Sequence, residues 1–180
     1  ILEKIQDVQA SERVIGKSEI IDKAKELLET QLKEQNSILE TIKNCNFKNN
    51  GKVFQENGTL EIDSSYFFKN SVGIDAFGVG SVKNSSFIEN GLGLSVGASS
   101  VIENNIIAKN DVGLGLAGAF SPGMVLPFIK DNKICDNILY NLENKSDFNL
   151  GLENNCFCLT DSIAIDAKIY DGYDDFTRGL

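Results

Sequence analysis

The sequence predicts an all-β fold: a right-handed single-stranded parallel β-helix of about six coils with a helical cap at its N-terminal end. Three observations predict it. A repeat of about 20 residues begins at Ile42, asparagine and glycine recur in its register, and a charged position alternates in sign from one repeat to the next. Short apolar segments at such a period mark a solenoid, because no single coil can bury its apolar face without neighbours.

The repeat reads apolar, any, Asn, any two, apolar, any two, Asn. Ile42, Asn44, Phe47 and Asn50 open it. Ile62, Ser64, Phe67 and Asn70 follow 20 residues later, then Val82, Asn84, Phe87 and Asn90, then Ile102, Asn104, Ile107 and Asn110. A step of 27 leads to Ile129, Asp131, Ile134 and Asn137, and a step of 23 to Leu152, Asn154, Phe157 and Thr160. Left-handed solenoids favour multiples of six residues, and 20 is not one, so the right-handed form is expected. Two inward ladders follow the two apolar positions, and a third is expected from Phe54, Ile74, Leu94 and Leu114. The Asn columns are expected to bend the chain and stack amide on amide. Gly73, Gly93 and Gly113 mark either a positive φ or a close backbone approach.

Lys43, Asp63, Lys83, Glu103, Lys130 and Glu153 each follow the first apolar residue, and Lys69, Glu89, Lys109 and Asp136 form a second column. Opposite charges on neighbouring strands stabilise modestly where like charges would repel, so these are structural ladders rather than catalytic groups.

Three segments are expected: a helical cap over 1–41, the β-helix over 42–160 and a C-terminal capping segment over 161–180. Ser18 to about Leu39 is amphipathic, with Ile21, Ala24, Leu28 and Leu32 on one side, and a second helix is read through Ile1, Ile5 and Val8. Such a helix would cover the open β-helix end, whose unpaired edge invites aggregation. An oligomerising coiled coil is the rival reading, but the heptads are short. The chain opens on Ile1 rather than Met and is read as a piece of a longer protein.

The step of 27 puts extra residues at about Gly118 to Pro127. A loop there is either a recognition element or, through Phe120, Met124 and Leu126, a cover for apolar surface. Tyr66, Phe68, Ile88, Ile106, Ala108 and Cys135 flank the inward stack and should point outward, a more apolar strip than solvent favours. Tyr66, Phe68, Ile88, Phe120 and Met124 are therefore the candidate contacts for a ligand or partner.

Composition excludes several chemistries. The 180 residues contain no His, which removes Ser-His-Asp and Cys-His nucleophile pairs, and no Trp. The net charge of −9 argues against nucleic acid as partner, and no apolar run is long enough for a membrane helix. Gly113-Leu-Gly115-Leu-Ala-Gly118 spells a dinucleotide fingerprint, but Ala119-Phe-Ser-Pro-Gly cannot start the helix that would hold a pyrophosphate. No cofactor is expected. Calcium at Asp171, Asp174 and Asp175 is a weak candidate, since their spacing lacks a calcium-loop pattern. Cys135 and Cys158 fall at equivalent positions of successive coils, so a disulfide and a pair of stacked thiols are both open. Cys156-Phe-Cys158 alone is a poor metal motif.

The stretches Ile62-Asp-Ser-Ser-Tyr-Phe67 and Val82-Lys-Asn-Ser-Ser-Phe-Ile-Glu-Asn90-Gly resemble the parallel β-helix repeats of the pectate-lyase-like superfamily. Among its branches they are similar to carbohydrate-binding protein and sugar hydrolase domains, including the periplasmic nitrous-oxide-reductase accessory type. The resemblance covers about Ile42 to Leu180 and includes the tail from Asn154 to Asp175, where Cys156-Phe157-Cys158 replaces the usual aromatic pair and Gly. It implies a β-helix, a polysaccharide or another surface protein as partner, and an extracellular or cell-surface setting. Active members cleave or epimerise acidic polysaccharides with clustered carboxylates and Arg, Lys or His. Here the two arginines, Arg13 and Arg178, lie outside the repeats, so no catalytic residue carries over.

The leading expectation is a non-catalytic surface scaffold or glycan-recognition module. One alternative is a polysaccharide lyase or hydrolase, with Asp75, Glu61 and Glu56 as its nearest carboxylates. The other is a structural assembly module of a fibre or appendage.

Overall fold

The computed structural model describes residues 23, 25, 26, 39–56, 59–76, 80–116, 125–146 and 149–171. The chain divides into two units, Ile1–Ile38 and Leu39–Leu180. Of the cap expected over 1–41, Lys23, Lys25 and Glu26 are helical and exposed, residues 39–41 instead open the first strand of the solenoid because their backbone pairs with 59–61, and the rest lies outside the described residues.

The second unit is a parallel β-solenoid of about five turns. Each turn lays down three short strands, one in each of three sheets. Strands β1 (Leu39–Lys43), β4 (Thr59–Asp63), β7 (Gly80–Lys83), β10 (Val101–Glu103), β13 (Phe128–Lys130) and β16 (Leu152–Glu153) form the first sheet. The second contains β2 (Asn46–Lys48), β5 (Tyr66–Phe68), β8 (Ser86–Ile88), β11 (Ile106–Ala108) and β14 (Lys133–Cys135). The third contains β3 (Lys52–Glu56), β6 (Val72–Ala76), β9 (Leu92–Val96), β12 (Val112–Leu116), β15 (Tyr140–Asn144) and β17 (Ile169–Tyr170). All pairings are parallel, and Ile42 faces Ile62, Phe47 faces Phe67 and Phe54 faces Ile74, as the 20-residue step requires.

Six copies of the repeat therefore give five complete turns, not six. The last copy supplies β16 but only an isolated bridge, Lys133 to Cys156, where its second-sheet strand should be. The helix α1 (Ser162–Asp166) follows, with Asp161 accepting a hydrogen bond from the Ala164 N–H at 2.9 Å as N-cap. Only then does β17 pair with β15.

Two corners per turn explain the polar spacing. Asn44, Ser64, Asn84, Asn104, Asp131 and Asn154 all have φ between 50° and 57°, as do Asn49, Lys69, Glu89, Lys109 and Asp136 between 53° and 59°. Asn and Asp tolerate this left-handed backbone better than most residues. The first of these columns bends the chain but is not the amide stack that the repeat suggests. The stacked side chains lie one residue later, at Ser65, Ser85, Asn105, Asn132 and Asn155. From Ser65 to Asn132 the backbone N–H donates to the next coil's side chain, at 3.0 Å from Ser65 to Ser85 and 2.9 Å from Asn105 to Asn132.

The second column does stack. Asn50, Asn70, Asn90, Asn110 and Asn137 form a chain of side-chain bonds of 3.0–3.1 Å. Its last rung is Asn141, which accepts from Asn137 Nδ2 at 2.9 Å, rather than the exposed Thr160. With Thr160 rather than asparagine at the matching position of the following coil, a neighbour four residues on takes its place.

The glycines serve this stack. A Cβ on Gly93 would lie 3.0 Å from Asn110 Nδ2 and 2.7 Å from the Gly113 carbonyl, and one on Gly113 would lie 2.6 Å from Asn137 Nδ2. Close approach, not positive φ, therefore selects Gly93 and Gly113. Asn141 occupies the next register position, where the stack ends.

Inside, Phe67, Phe87, Ile107 and Ile134 form one fully buried column, and Ile74, Leu94, Leu114 and Leu142 line the third sheet. Phe47, Phe67 and Phe87 stack with centroids 5.1 and 4.6 Å apart. Among the described residues no helix is long and apolar enough to cross a membrane.

Candidate functional site

The outer face of the second sheet carries the most distinctive surface chemistry. Side chains alternate across a strand, so the residues on either side of the buried Phe67–Phe87–Ile107 column point outward. One outward column is Asn46, Tyr66, Ser86, Ile106 and Lys133; the other is Lys48, Phe68, Ile88, Ala108 and Cys135. Tyr66 and Phe68, two residues apart on β5, stack at 5.7 Å with planes 16° apart. Lys48 Nζ lies 5.2 Å and Lys69 Nζ 4.9 Å from the Phe68 ring centre. Ile88 is half-buried, while Tyr66 and Ile106 are exposed. The result is a stacked ring pair with apolar neighbours and two ammonium groups over the Phe68 ring.

Ala108 and Cys135 do not belong to this exposed strip, although the alternation assigns them to it. Both are buried. Ala108 has a single side-chain carbon between the larger Ile88 and Cys135 in register, and Cys135 is covered through its disulfide to Cys158, with Cα atoms 5.5 Å apart. Phe120 and Met124 lie outside the described residues. The end of their loop is anchored: Ser99 N–H donates to the Val125 carbonyl at 2.7 Å, and Phe128 N–H to the Ser100 carbonyl at 2.8 Å. Val125, Leu126 and Phe128 are exposed there, and Ile138 and Leu139 are exposed after β14. The repeat template covers none of these except Phe128, whose outward position follows from Ile129 pointing inward.

Several carboxylates on the solenoid are partnered. Lys43 pairs with Asp63 at 3.2 Å, Lys83 with Glu103 at 3.2 Å and Lys69 with Glu89 at 3.4 Å, so alternation resolves into discrete pairs. Lys130 turns instead to the adjacent Asp131 at 3.5 Å. Asp75 receives Lys52 at 2.8 Å on the third sheet, and Glu61 stands on the first sheet, so these two carboxylates do not share a face. The side chain of Glu56 lies outside the described residues. Asp171 is half-buried after β17, and Asp174 and Asp175 lie outside the described residues.

Asp63 has a shifted acidity. The Asn84 side-chain amide donates to it at 2.8 Å, and with the Lys43 ammonium holds its carboxyl below the ordinary carboxylate value. A lowered folded-state value means that the stabilisation is complete above the ordinary value and fades as pH falls through the lowered one. At this surface position the effect is small. Asp63→Asn is expected to narrow the drop in melting temperature between about pH 6 and about pH 3 relative to the wild type, read by thermal circular dichroism.

The chain is thus a parallel β-solenoid with an internal asparagine stack and a stacked aromatic pair on one outer sheet. No family model, curated protein or solved structure matches it.

Proposed function

We propose that this chain is a non-catalytic β-helical scaffold that recognises polysaccharide, working at the cell surface or outside the cell, and that it belongs with the pectate-lyase-like β-helices. The observation that carries the reading is the stacked Tyr66–Phe68 pair with the Lys48 and Lys69 ammonium groups over the Phe68 ring. Sugar rings present C–H faces to aromatic rings and hydroxyl or carboxylate groups to their borders. A flat parallel sheet holds two such rings rigidly, with little ordering cost on binding.

Affinity electrophoresis through gels containing a polyuronate or a neutral glucan tests this. The wild-type chain is expected to be retarded in at least one gel. Tyr66→Ala with Phe68→Ala should restore free mobility while leaving far-UV circular dichroism unchanged, because neither ring belongs to the buried column. Equal mobility with and without polymer, or retardation that survives the double substitution, would overturn the reading.

A further inference from the structure

Three sulfur atoms converge at the C-terminal end of the solenoid. Cys135 and Cys158 are bonded, and Cys156 is a free, exposed thiol whose Sγ lies 3.8 Å from Cys158 Sγ. All three sulfurs lie within 4.8 Å of one another. A disulfide needs two of them; the third is unexplained by it.

Two chemistries could use a third sulfur, and geometry separates them. Attack of the Cys156 thiolate on the disulfide needs the three atoms in line. With a sulfur–sulfur bond of about 2.05 Å, that arrangement would put the outer pair about 5.9 Å apart. The observed limit of 4.8 Å makes the group a triangle instead. A triangle suits a metal: two thiolates on a tetrahedral ion with bonds of about 2.3 Å lie about 3.8 Å apart. The Cys156–Cys158 separation already has that value.

The backbone holds Cys135 and Cys156 in place without the disulfide. Cys156 N–H donates to the Asn132 carbonyl at 2.8 Å, and Ile134 N–H donates to the Cys156 carbonyl at 2.9 Å. Cys135 is the last residue of β14, which pairs with β11. Cys156 and Cys158 are exposed, which gives an ion a way in and leaves room for water as fourth ligand. The net charge of −9 favours a cation over an anion.

We propose that in the reduced protein Cys135, Cys156 and Cys158 form a three-thiolate site for one soft or borderline cation of the zinc class. The site and the disulfide are alternative states of the same residues. In the presence of a phosphine, the disulfide takes up two electrons and two protons to give two thiols, and the phosphine becomes its oxide with oxygen from water. Binding then releases the three thiol protons as three metal–sulfur bonds form. This inference is independent of the glycan reading: it concerns the opposite chemistry, at a different place on the solenoid.

Cadmium titration of the phosphine-reduced full chain tests it, followed by the thiolate-to-metal ultraviolet absorption band and by far-UV circular dichroism. The expected result is saturation at one equivalent, displacement by zinc, and no band in the oxidised chain. Cys156→Ser should weaken binding at least 100-fold, and Cys45→Ser should leave it unchanged. Cys135→Ser, kept reduced, removes the Cys135–Cys158 disulfide altogether. It should bind cadmium through the two remaining sulfurs, with a band about two-thirds as intense. Absence of a band in both the reduced wild type and Cys135→Ser would overturn the proposal. So would wild-type affinity in Cys156→Ser, or a band that appears only as the β-sheet signal is lost.

Discussion

Asn110→Ala is expected to destabilise the solenoid by about 3–5 kcal/mol in urea unfolding, near the limit for a single substitution. The side chain is wholly buried, and every polar atom on it is used. Its Oδ1 accepts from Asn90 N–H at 2.9 Å and from Asn90 Nδ2 at 3.0 Å. Its Nδ2 donates to the Phe87 carbonyl at 3.0 Å and to Asn137 Oδ1 at 3.0 Å. Alanine would leave a buried N–H without its acceptor and take a donor from a buried carbonyl, and each such loss costs about 1–3 kcal/mol. It would also open a void beside Gly93, whose missing Cβ makes room for this amide. Asn50→Ala is the matched control. Asn50 is exposed and donates to Asn70 at 3.1 Å. Its loss should cost less than about 1 kcal/mol. Equal effects at the two ends of the stack would show that the amides act as turn formers and not as a buried network.

Phe87→Ala should cost about 4–5 kcal/mol by the same measurement. Phe87 is fully buried between Phe67, stacked on it at 4.6 Å and 4°, and Ile107 in the next coil. Removing the ring loses its transfer free energy and the stacking, and leaves a cavity that regular neighbouring coils cannot collapse to fill. Phe87→Leu keeps most of the volume and should cost less than half as much. Phe47→Ala, in the half-buried first member of the column, should cost about 2 kcal/mol. In an array where each coil touches only its neighbours, both central substitutions should reduce the cooperativity of unfolding as well as its midpoint.

Much of this was legible in the sequence because a solenoid repeats its physics. Ile62, Phe67 and Ile74 predict three sheets from one coil, and an exact 20-residue step sets their register. The amide stack was half legible. Asn70, Asn90 and Asn110 carry it, whereas Asn84 and Asn104 mark a corner. Asparagine serves both roles, so its recurrence alone does not tell a left-handed backbone from a buried amide. The sign that separates them is the neighbour: after Cys45 in the first coil, Ser65, Ser85, Asn105, Asn132 and Asn155 are all polar, as a buried hydrogen-bonded column must be. The last coil was the least legible. Thr160 fits the template, but the stack ends on Asn141, because its closure depends on which side chain reaches Asn137 in space. Of the candidate site, Tyr66, Phe68 and Ile88 follow from strand alternation. Ala108 and Cys135 break that rule because exposure depends on the size of their neighbours as well as on direction.

The asparagine stack has one more consequence. Along the stack each side-chain amide donates to the next Oδ1 in sequence order, from Asn50 through Asn137 to Asn141, while from Asn70 on it also donates back to a carbonyl of the preceding coil. The column therefore has a head and a tail, and the two are chemically unlike. A duplicated 20-residue unit would find matching donors and acceptors on both sides if inserted between Asn70 and Asn90. Added after Asn141, it would meet a closed end. Growth or shortening of this molecule by whole coils is compatible with its interior, whereas extension at the closed end requires rewriting the terminator.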